Sequence, residues 1–212
     1  MGGGTWGRRF IIGLLTAAVL AAAPHAVRAA AGPALGKTAP DFTGTDSYGK
    51  SHTLSAYHGK VVILEWFNDG CPFVGKHYGT RNMQTLQKEA AAQGVVWLSV
   101  VSSAPGRQGY STPERANRLV RDWQAAPTAV LLDPKGTIGR LYDAKVTPHM
   151  YIINKQGALV YKGAIDDIPS PVHEDVKVAN NYVRAALKEV MAGQPVSKPS
   201  SRAYGCTVKY AW

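Results

Sequence analysis

The chain has 212 residues, of which 45% are apolar and 18% charged, so it has the material for one domain with a hydrophobic core and is not globally disordered. The 24 Lys and Arg residues outnumber the 14 Asp and Glu residues, giving a net charge of +10. They form no block of five or six consecutive basic residues, which favours a solvated basic surface over a nucleic-acid site. The presence of only two cysteines excludes a disulfide-rich scaffold and a four-cysteine zinc module.

Residues 1–31 are typical of a secretory signal peptide. Arg8 and Arg9 precede an apolar run from Phe10 to Ala23, and small residues follow at Ala29–Ala31. The run is shorter than the ~20 residues that a membrane span needs, although an uncleaved N-terminal anchor is an alternative. The sequence therefore predicts an exported protein, periplasmic or secreted, with no stable membrane span after cleavage.

From residue 32 onward, strand patterns alternate with helix patterns. The predicted elements are a β-hairpin over 41–54, strands at 61–67, 95–101 and 128–132, helices at 73–92 and 112–124, a short helix at 138–142, a hairpin over 150–161 and a helix at 174–191. This order favours an α/β domain over 32–192, with a central mixed sheet flanked by helices. Residues 193–212 are predicted to form an extended C-terminal tail.

Cys71 is the first candidate for chemistry, because it lies where an apolar strand leads into the first turn of a helix. Free backbone N–H groups and the positive end of the helix dipole favour the thiolate there. The polar segment 68–70 before it is typical of a loop, and loops often carry functional groups. A buried structural cysteine is the alternative interpretation.

Four short motifs resemble the redoxins, a thioredoxin-fold branch that includes the alkyl hydroperoxide reductase and thiol-specific antioxidant-like peroxiredoxins. The motifs lie at 36–42, 66–73, 133–136 and 146–148, and the similarity covers roughly residues 35–165. The resemblance implies a thioredoxin-like fold in which Cys71 is the attacking thiol and Pro148 is a cis-proline that faces it. It also implies that the backbone of Thr147 pairs with an incoming chain. A trans Thr147–Pro148 bond at an ordinary strand entry is the alternative.

Three positions differ from the patterns of related families. Val74 stands where thioredoxins carry the second cysteine of C-x-x-C, so a local dithiol is impossible. Asn68 and Leu64 stand where peroxiredoxins usually carry Thr and Pro. We expect Asn68 to donate a hydrogen bond in place of the Thr.

Cys206 is the only other cysteine, and so the only candidate within the chain to resolve an oxidised Cys71. The tail before it is long enough to reach back to the domain. Tyr204, Tyr210 and Trp212 give the tail an aromatic content unlike that of a disordered end. The sequence predicts a Cys71–Cys206 disulfide, with an intermolecular bridge or an unrelated surface thiol as alternatives.

Two histidines and one acidic pair complete the candidates. His77 is assigned to a helix face, whereas His149, beside Pro148, is a candidate to stabilise a thiolate or bind a metal. A copper or zinc site formed by Cys71, His77 and His149 is a possible alternative. The pair at 166–167 is interpreted as part of a solvated loop.

The sequence therefore predicts an exported thiol-dependent oxidoreductase that needs no cofactor and holds no metal. Cys71 attacks a peroxide or a protein disulfide, and Cys206 or an external thiol reductant regenerates it. Thr147 and Pro148 complete the predicted site. A non-catalytic module of the same fold, which binds a partner protein or a metal ion, is the alternative function.

Overall fold

The computed structural model describes residues 1–4 and 32–211. The predicted signal peptide therefore falls almost entirely outside the described residues. Within those two ranges, no helix is both long enough and apolar enough to cross a membrane.

Seven of the nine strands in the described ranges form one central mixed sheet. The strands are β1 Thr43–Asp46, β2 Ser51–Thr53, β3 Val62–Trp66, β4 Val96–Val101, β5 Ala129–Leu132, β6 Val146–Thr147, β7 His149–Ile153, β8 Leu159–Gly163 and β9 Cys206–Thr207. Their order across the large sheet is β2-β1-β5-β4-β3-β7-β8, while β6 and β9 form a separate pair. Strands β3, β4 and β5 are parallel, and every other pairing is antiparallel. The predicted mixed α/β sheet is confirmed.

Helices and loop segments bury both faces of this sheet. The helices are α1 Pro72–Gly79, α2 Asn82–Ala92, α3 Pro113–Asp122, α4 Thr137–Leu141 and α5 Tyr182–Met191. One apolar cluster joins the sheet to α1, α2, α3 and α5, and a second joins its other face to α4. All five residues of β3 are buried, as its near-continuous apolar sequence predicts.

Two predicted helices are each interrupted. The helix expected over 73–92 ends at Gly79 and resumes as α2. Between the two helices, the Thr80 hydroxyl donates to the Lys76 carbonyl at 2.7 Å, and Arg81 adopts a left-handed φ of 62°. The helix expected over 174–191 is a short 3-10 turn at His173–Lys177 followed by α5. The Asn181 side chain begins α5 by accepting a hydrogen bond from the Arg184 N–H at 2.9 Å.

Candidate active site

Cys71 lies between the end of β3 and the first turn of α1. Its N–H donates to the Asn68 carbonyl at 3.1 Å, and Pro72 occupies the first helical position, where a missing N–H costs nothing. Cys71 thus takes the N-cap position that its sequence context predicts. Its side chain is only 1% exposed, so it lies beneath the surface although the segment before it is a loop.

Thr147, at the end of β6, and Pro148, between β6 and β7, face Cys71. The Thr147–Pro148 peptide bond is cis, which confirms that prediction. Both residues are buried, and the Cys71 thiol donates to the Thr147 carbonyl at 3.1 Å. The fold therefore brings together three of the four predicted site residues.

The C-terminal tail brings the fourth, Cys206. Strand β9 pairs antiparallel with β6, in a register that sets Cys206 opposite Thr147. Gly205 has a φ of +135°, and a Cβ there would overlap the Thr147 carbonyl oxygen, so only glycine fits this close approach. The Cys206 thiol consequently lies beside the Cys71 sulfur, and both cysteines are free thiols in the structure.

A buried charge cluster holds the tail on the upstream side of Cys206. The Tyr204 hydroxyl donates to the Asp166 carboxylate, whose other oxygen lies 3.2 Å from the Lys76 ammonium. The Tyr204 ring packs edge-on against Phe73 in α1, with 5.8 Å between centroids. These contacts fix the tail two residues before Cys206.

Further contacts hold the tail on the downstream side. Val208 is buried, and its N–H donates to the Lys145 carbonyl at 2.9 Å. The Tyr210 ring covers Gly136 and Gly139, and its hydroxyl donates to the Ala144 carbonyl at 2.7 Å. Cys206 is thus fixed from both sides.

The two thiols differ in acidity. Burial raises the pKa of Cys71, but hydrogen bonds to its sulfur lower it by more, so its pKa lies below the ordinary value. These hydrogen bonds come from the Cys206 thiol, the Thr147 side chain and the N–H groups of Val74 and Cys206. Burial, the hydrogen bond to Cys71 and the Cys71 charge raise the pKa of Cys206 to about 11. Cys71 is therefore the thiol that ionises first.

Residues 35–162 match the AhpC/TSA family. This chain belongs to the AhpC/TSA family. It is 30% identical over 126 residues to the thiol-disulfide oxidoreductase ResA of Geobacillus kaustophilus (strain HTA426), a match that covers 54% of this chain and 72% of that protein. It is 28% identical over 126 residues, with the same coverage, to the ResA of Geobacillus thermodenitrificans (strain NG80-2).

Two solved structures share the fold of this AhpC/TSA-family protein at a TM-score of 0.71. A hypothetical protein from Sinorhizobium meliloti 1021 is 23% identical, with 84% of this chain and 95% of that chain covered. An uncharacterized conserved protein from Geobacillus kaustophilus is 25% identical, with 84% and 93% covered. The family match and the observed sheet confirm the predicted redoxin resemblance and thioredoxin-like fold.

His149, the predicted candidate to stabilise the thiolate, has no hydrogen bond to Cys71 in the described part of this AhpC/TSA-family protein, and His77 lies in α1. Burial lowers the pKa of each to about 4, so both are neutral at pH 7. His77 lies 3.3 Å from the Tyr204 hydroxyl, and His149 contacts the Tyr151 hydroxyl at 3.2 Å. In the described ranges no group of three or more His, Cys, Asp or Glu residues is placed to hold a metal ion, so the alternative copper or zinc site is wrong.

Asp166 is the main residue that sequence reasoning missed. The sequence predicts a solvated loop here, yet Asp166 is 2% exposed and paired with Lys76, which is 0% exposed. Only Asp167 of the pair is exposed. No pattern in the sequence links Asp166 to Lys76, 90 positions earlier. The sequence feature that could have pointed to this cluster is Tyr204, an aromatic residue two positions before Cys206.

Asn68 keeps the hydrogen-bonding capacity predicted for it. Its side-chain oxygen accepts from the Gly70 N–H at 2.9 Å. Its Nδ2 is buried and has no acceptor among the described residues. A free donor therefore lies three residues before Cys71, and its use in catalysis stays a prediction.

Proposed function

We propose that this protein is a two-cysteine thiol peroxidase in which Cys71 attacks a peroxide and Cys206 closes an intramolecular disulfide. The observation that carries the proposal is the pairing of Thr147 with Cys206, which places the second thiol beside the first. At the coarser level, family membership and relatives named as thiol-disulfide oxidoreductases confirm the prediction of a thiol-dependent redox enzyme. No metal or cofactor enters the proposed cycle.

The first step oxidises one sulfur by two electrons. The Cys71 thiolate attacks a peroxide oxygen, the S–O bond forms, the O–O bond breaks, and the leaving oxygen takes a proton to become water or an alcohol. Cys71 is left as a sulfenic acid. The Cys206 thiolate then attacks the Cys71 sulfur, the S–S bond forms, and the sulfenic oxygen leaves with a proton as water.

The acidity difference orders these two steps. Part of the elevation of the Cys206 pKa comes from its hydrogen bond to Cys71 and from the Cys71 charge. Both contributions are lost when Cys71 becomes a neutral sulfenic acid, so oxidation of Cys71 itself promotes ionisation of Cys206. Of the three causes that raise the pKa of Cys206, only burial then remains.

Access to Cys71 favours a small oxidant. The side chain is 1% exposed, and β9 occupies the backbone edge of β6 with which an extended substrate chain would pair. A peroxide needs far less space than a polypeptide disulfide. The unpartnered Asn68 Nδ2 adds a buried hydrogen-bond donor three residues before Cys71 in the sequence.

A polypeptide disulfide is the second candidate substrate. The ResA proteins of two Geobacillus species carry the name thiol-disulfide oxidoreductase. The edge of β6 accepts an extended strand, here its own tail, so a substrate strand that displaced β9 would meet Cys71. This candidate requires the tail to move before the first chemical step.

Stopped-flow oxidation of the reduced protein tests the proposal. We expect hydrogen peroxide to oxidise Cys71 faster than an oxidised model protein disulfide does, with the loss of two thiols per chain and one Cys71–Cys206 peptide after digestion. Cys206→Ser is expected to stop at a sulfenic acid, and Cys71→Ser to remain unreactive. If peroxide oxidises the wild-type protein no faster than Cys71→Ser, the peroxidase proposal is wrong; a faster reaction with the protein disulfide supports the second candidate.

We also propose that the protein is exported, on the strength of the pattern at residues 1–31. Export would place the two thiols in a compartment where disulfides persist. Fractionation of cells that produce the protein, with intact-mass measurement of the mature chain, tests this. A protein that retains residues 1–31 in the cytosol would contradict it.

A further inference from the structure

We propose that His77 is a positioning residue for Cys206: it acts through Tyr204, and its protonation in mildly acidic surroundings releases the C-terminal tail. The tail then leaves the edge of β6, and Cys206 moves away from Cys71. The release itself depends only on the contacts described below. Its consequence, a slower closure of the Cys71–Cys206 disulfide at acidic pH, rests on the proposed function.

His77 contacts the tail two residues before Cys206. Its ring is buried, and its Nε2 atom lies 3.3 Å from the Tyr204 hydroxyl. On the other side of the ring, the Asn82 Nδ2 atom lies 2.9 Å from Nδ1. Because an amide nitrogen can only donate, Nδ1 is the acceptor, and the single proton of the neutral ring is on Nε2. The neutral imidazole therefore joins α2 to the tail through two hydrogen bonds.

The buried charges around His77 balance only while its ring is neutral. The Lys76 ammonium lies 3.2 Å from the Asp166 carboxylate and donates to the Ile168 carbonyl at 2.9 Å, so one buried cation faces one buried anion. The His77 Nε2 atom is 3.8 Å from the same carboxylate oxygen. A proton on His77 adds a second cation that must share this carboxylate away from water, which is costly.

Protonation also disturbs the hydrogen bond to α2. Nδ1 then carries a proton that faces the Asn82 N–H group, so two donors meet where a donor and an acceptor met before. At the end of α1, the titratable His173 of the 3-10 turn lies over Gly79, two residues after His77. The groups that oppose a charged His77 thus come from α1 and α2, while the Asp166 carboxylate alone favours it.

Release of the tail relieves this cost because it admits water. The Tyr204 ring lies over the Lys76 ammonium, which is 5.7 Å from the ring centroid. Tyr204 and Asp166 both line a surface cleft of about 810 Å³. When Tyr204 leaves, water from this cleft reaches the charged cluster and can solvate a second cation.

The pKa of His77 gives the direction and the range of the effect. With the tail in place, burial is the largest influence and lowers this pKa to about 4, while Asp166 raises it and Lys76 lowers it to smaller extents. A histidine in water has a pKa of about 6.5. Proton uptake therefore favours the released tail as the pH falls from 6.5 toward 4, and docking is regained as the pH rises again.

Hydrogen–deuterium exchange of the reduced protein, followed by NMR, tests the inference. The Val208 N–H, which donates to the Lys145 carbonyl, reports on the tail, and the amides of β3 report on the core of the sheet. Each rate is divided by the intrinsic exchange rate at the same pH. Between pH 6.5 and 4.5 we expect the protection of Val208 to fall at least about tenfold while β3 stays protected.

His77→Gln is the matched variant, because a glutamine amide has a donor and an acceptor but does not titrate. We expect the protection of Val208 in this variant to fall less than about threefold over the same range. His58→Gln replaces an exposed histidine and should behave as the wild type. An equal fall in the wild type and His77→Gln, no fall in the wild type, or joint loss of protection in the tail and β3 would overturn the inference.

Tyr204→Phe decides the question if His77→Gln does not fold. It keeps the ring but removes the hydroxyl that joins His77 to the tail. The protection of Val208 should then be lower at pH 6.5 and depend less on pH than in the wild type, and an unchanged pH dependence would contradict a role for His77. These measurements use no peroxide, so their outcome is distinct from that of the peroxidase proposal.

Discussion

At the scale of single residues, the reactivity of Cys71 comes from its neighbours rather than from exposure. Burial alone would raise the pKa of the Cys71 thiol, yet the N–H groups of Val74 and Cys206 and two side-chain donors lower it below the ordinary value. One of those donors is the Cys206 thiol itself. In the proposed cycle, Cys206 therefore helps to activate the residue that it later attacks.

Two substitutions of Cys206 separate its roles. Cys206→Ala removes a donor and should raise the pKa of Cys71, so alkylation of Cys71 by iodoacetamide at pH 7 should slow several-fold. Cys206→Ser keeps an O–H donor and should leave the pKa near that of the wild type. The rate of alkylation against pH measures both variants, and identical profiles for Ala and Ser would exclude the Cys206 thiol as a cause of the low pKa.

Asp166 offers a stability test with a neighbour as control. Asp166→Asn leaves the buried Lys76 ammonium without its counter-charge, and removing one partner of a buried ion pair costs about 3–5 kcal/mol. Asp167→Asn changes an exposed carboxylate and should cost less than about 1 kcal/mol. Urea unfolding of the two variants measures the difference, and equal stabilities would show that the buried pair contributes nothing.

At the scale of elements, a helix or strand could be predicted from the sequence when the residues that determine it lie close to it in the chain. The strands around Cys71 and the N-cap of α3 depend on nearby residues, and both were predicted correctly. At that N-cap the Thr112 hydroxyl accepts a hydrogen bond from the Arg115 N–H at 3.3 Å. The break between α1 and α2 depends on one left-handed residue, Arg81, which no propensity rule anticipates. The docking of β9 on β6 joins positions about 60 residues apart, so only its extended shape was predictable.

Gly205 tests the contribution of β9. Gly205→Ala places a methyl group against the Thr147 carbonyl oxygen and should dislodge β9. Peroxide should still oxidise Cys71, but the disulfide should form more slowly, so the sulfenic acid should persist longer when trapped with dimedone. Gly75→Ala, in α1 with open space around an added Cβ, is the control and should retain the wild-type rate of disulfide formation. An unchanged sulfenic acid lifetime in Gly205→Ala would contradict a positioning role for β9.

At the scale of the whole molecule, apolar clusters on both faces of the sheet also enclose ionisable groups. His77 and His149 are neutral because of burial, and burial likewise raises the pKa of Glu65, which lies inside the domain. The sequence marks Glu65 only as the one charged residue in an apolar strand. Such groups make the stability of the entire fold depend on pH.

Stability should fall as the pH drops from about 6.5 to 4. Over that range the unfolded chain protonates its histidines while the native protein, with the pKa of His77 and His149 at about 4, does not. Each histidine contributes on the order of 3 kcal/mol to this loss of stability. Glu65, with its raised pKa, acts in the opposite direction and favours the native state as the pH falls.

The difference between the wild type and His149→Asn isolates one histidine, because Glu65 contributes equally to both. Urea unfolding at pH 6.5, 5 and 4 should show a smaller loss of stability in the variant. If the unfolding free energies of the two proteins fell equally with pH, His149 would not be buried in its neutral form.

The anchoring of the tail on both sides of Cys206 has a consequence for survival under oxidative stress. A sulfenic acid is destroyed irreversibly when a second peroxide converts it to a sulfinic acid. In the proposed cycle the competing thiol is already in place and no segment has to unfold first, so we expect the disulfide to close before a second peroxide reacts. The enzyme should remain active at peroxide doses that inactivate redoxins whose resolving cysteine must travel to reach its partner.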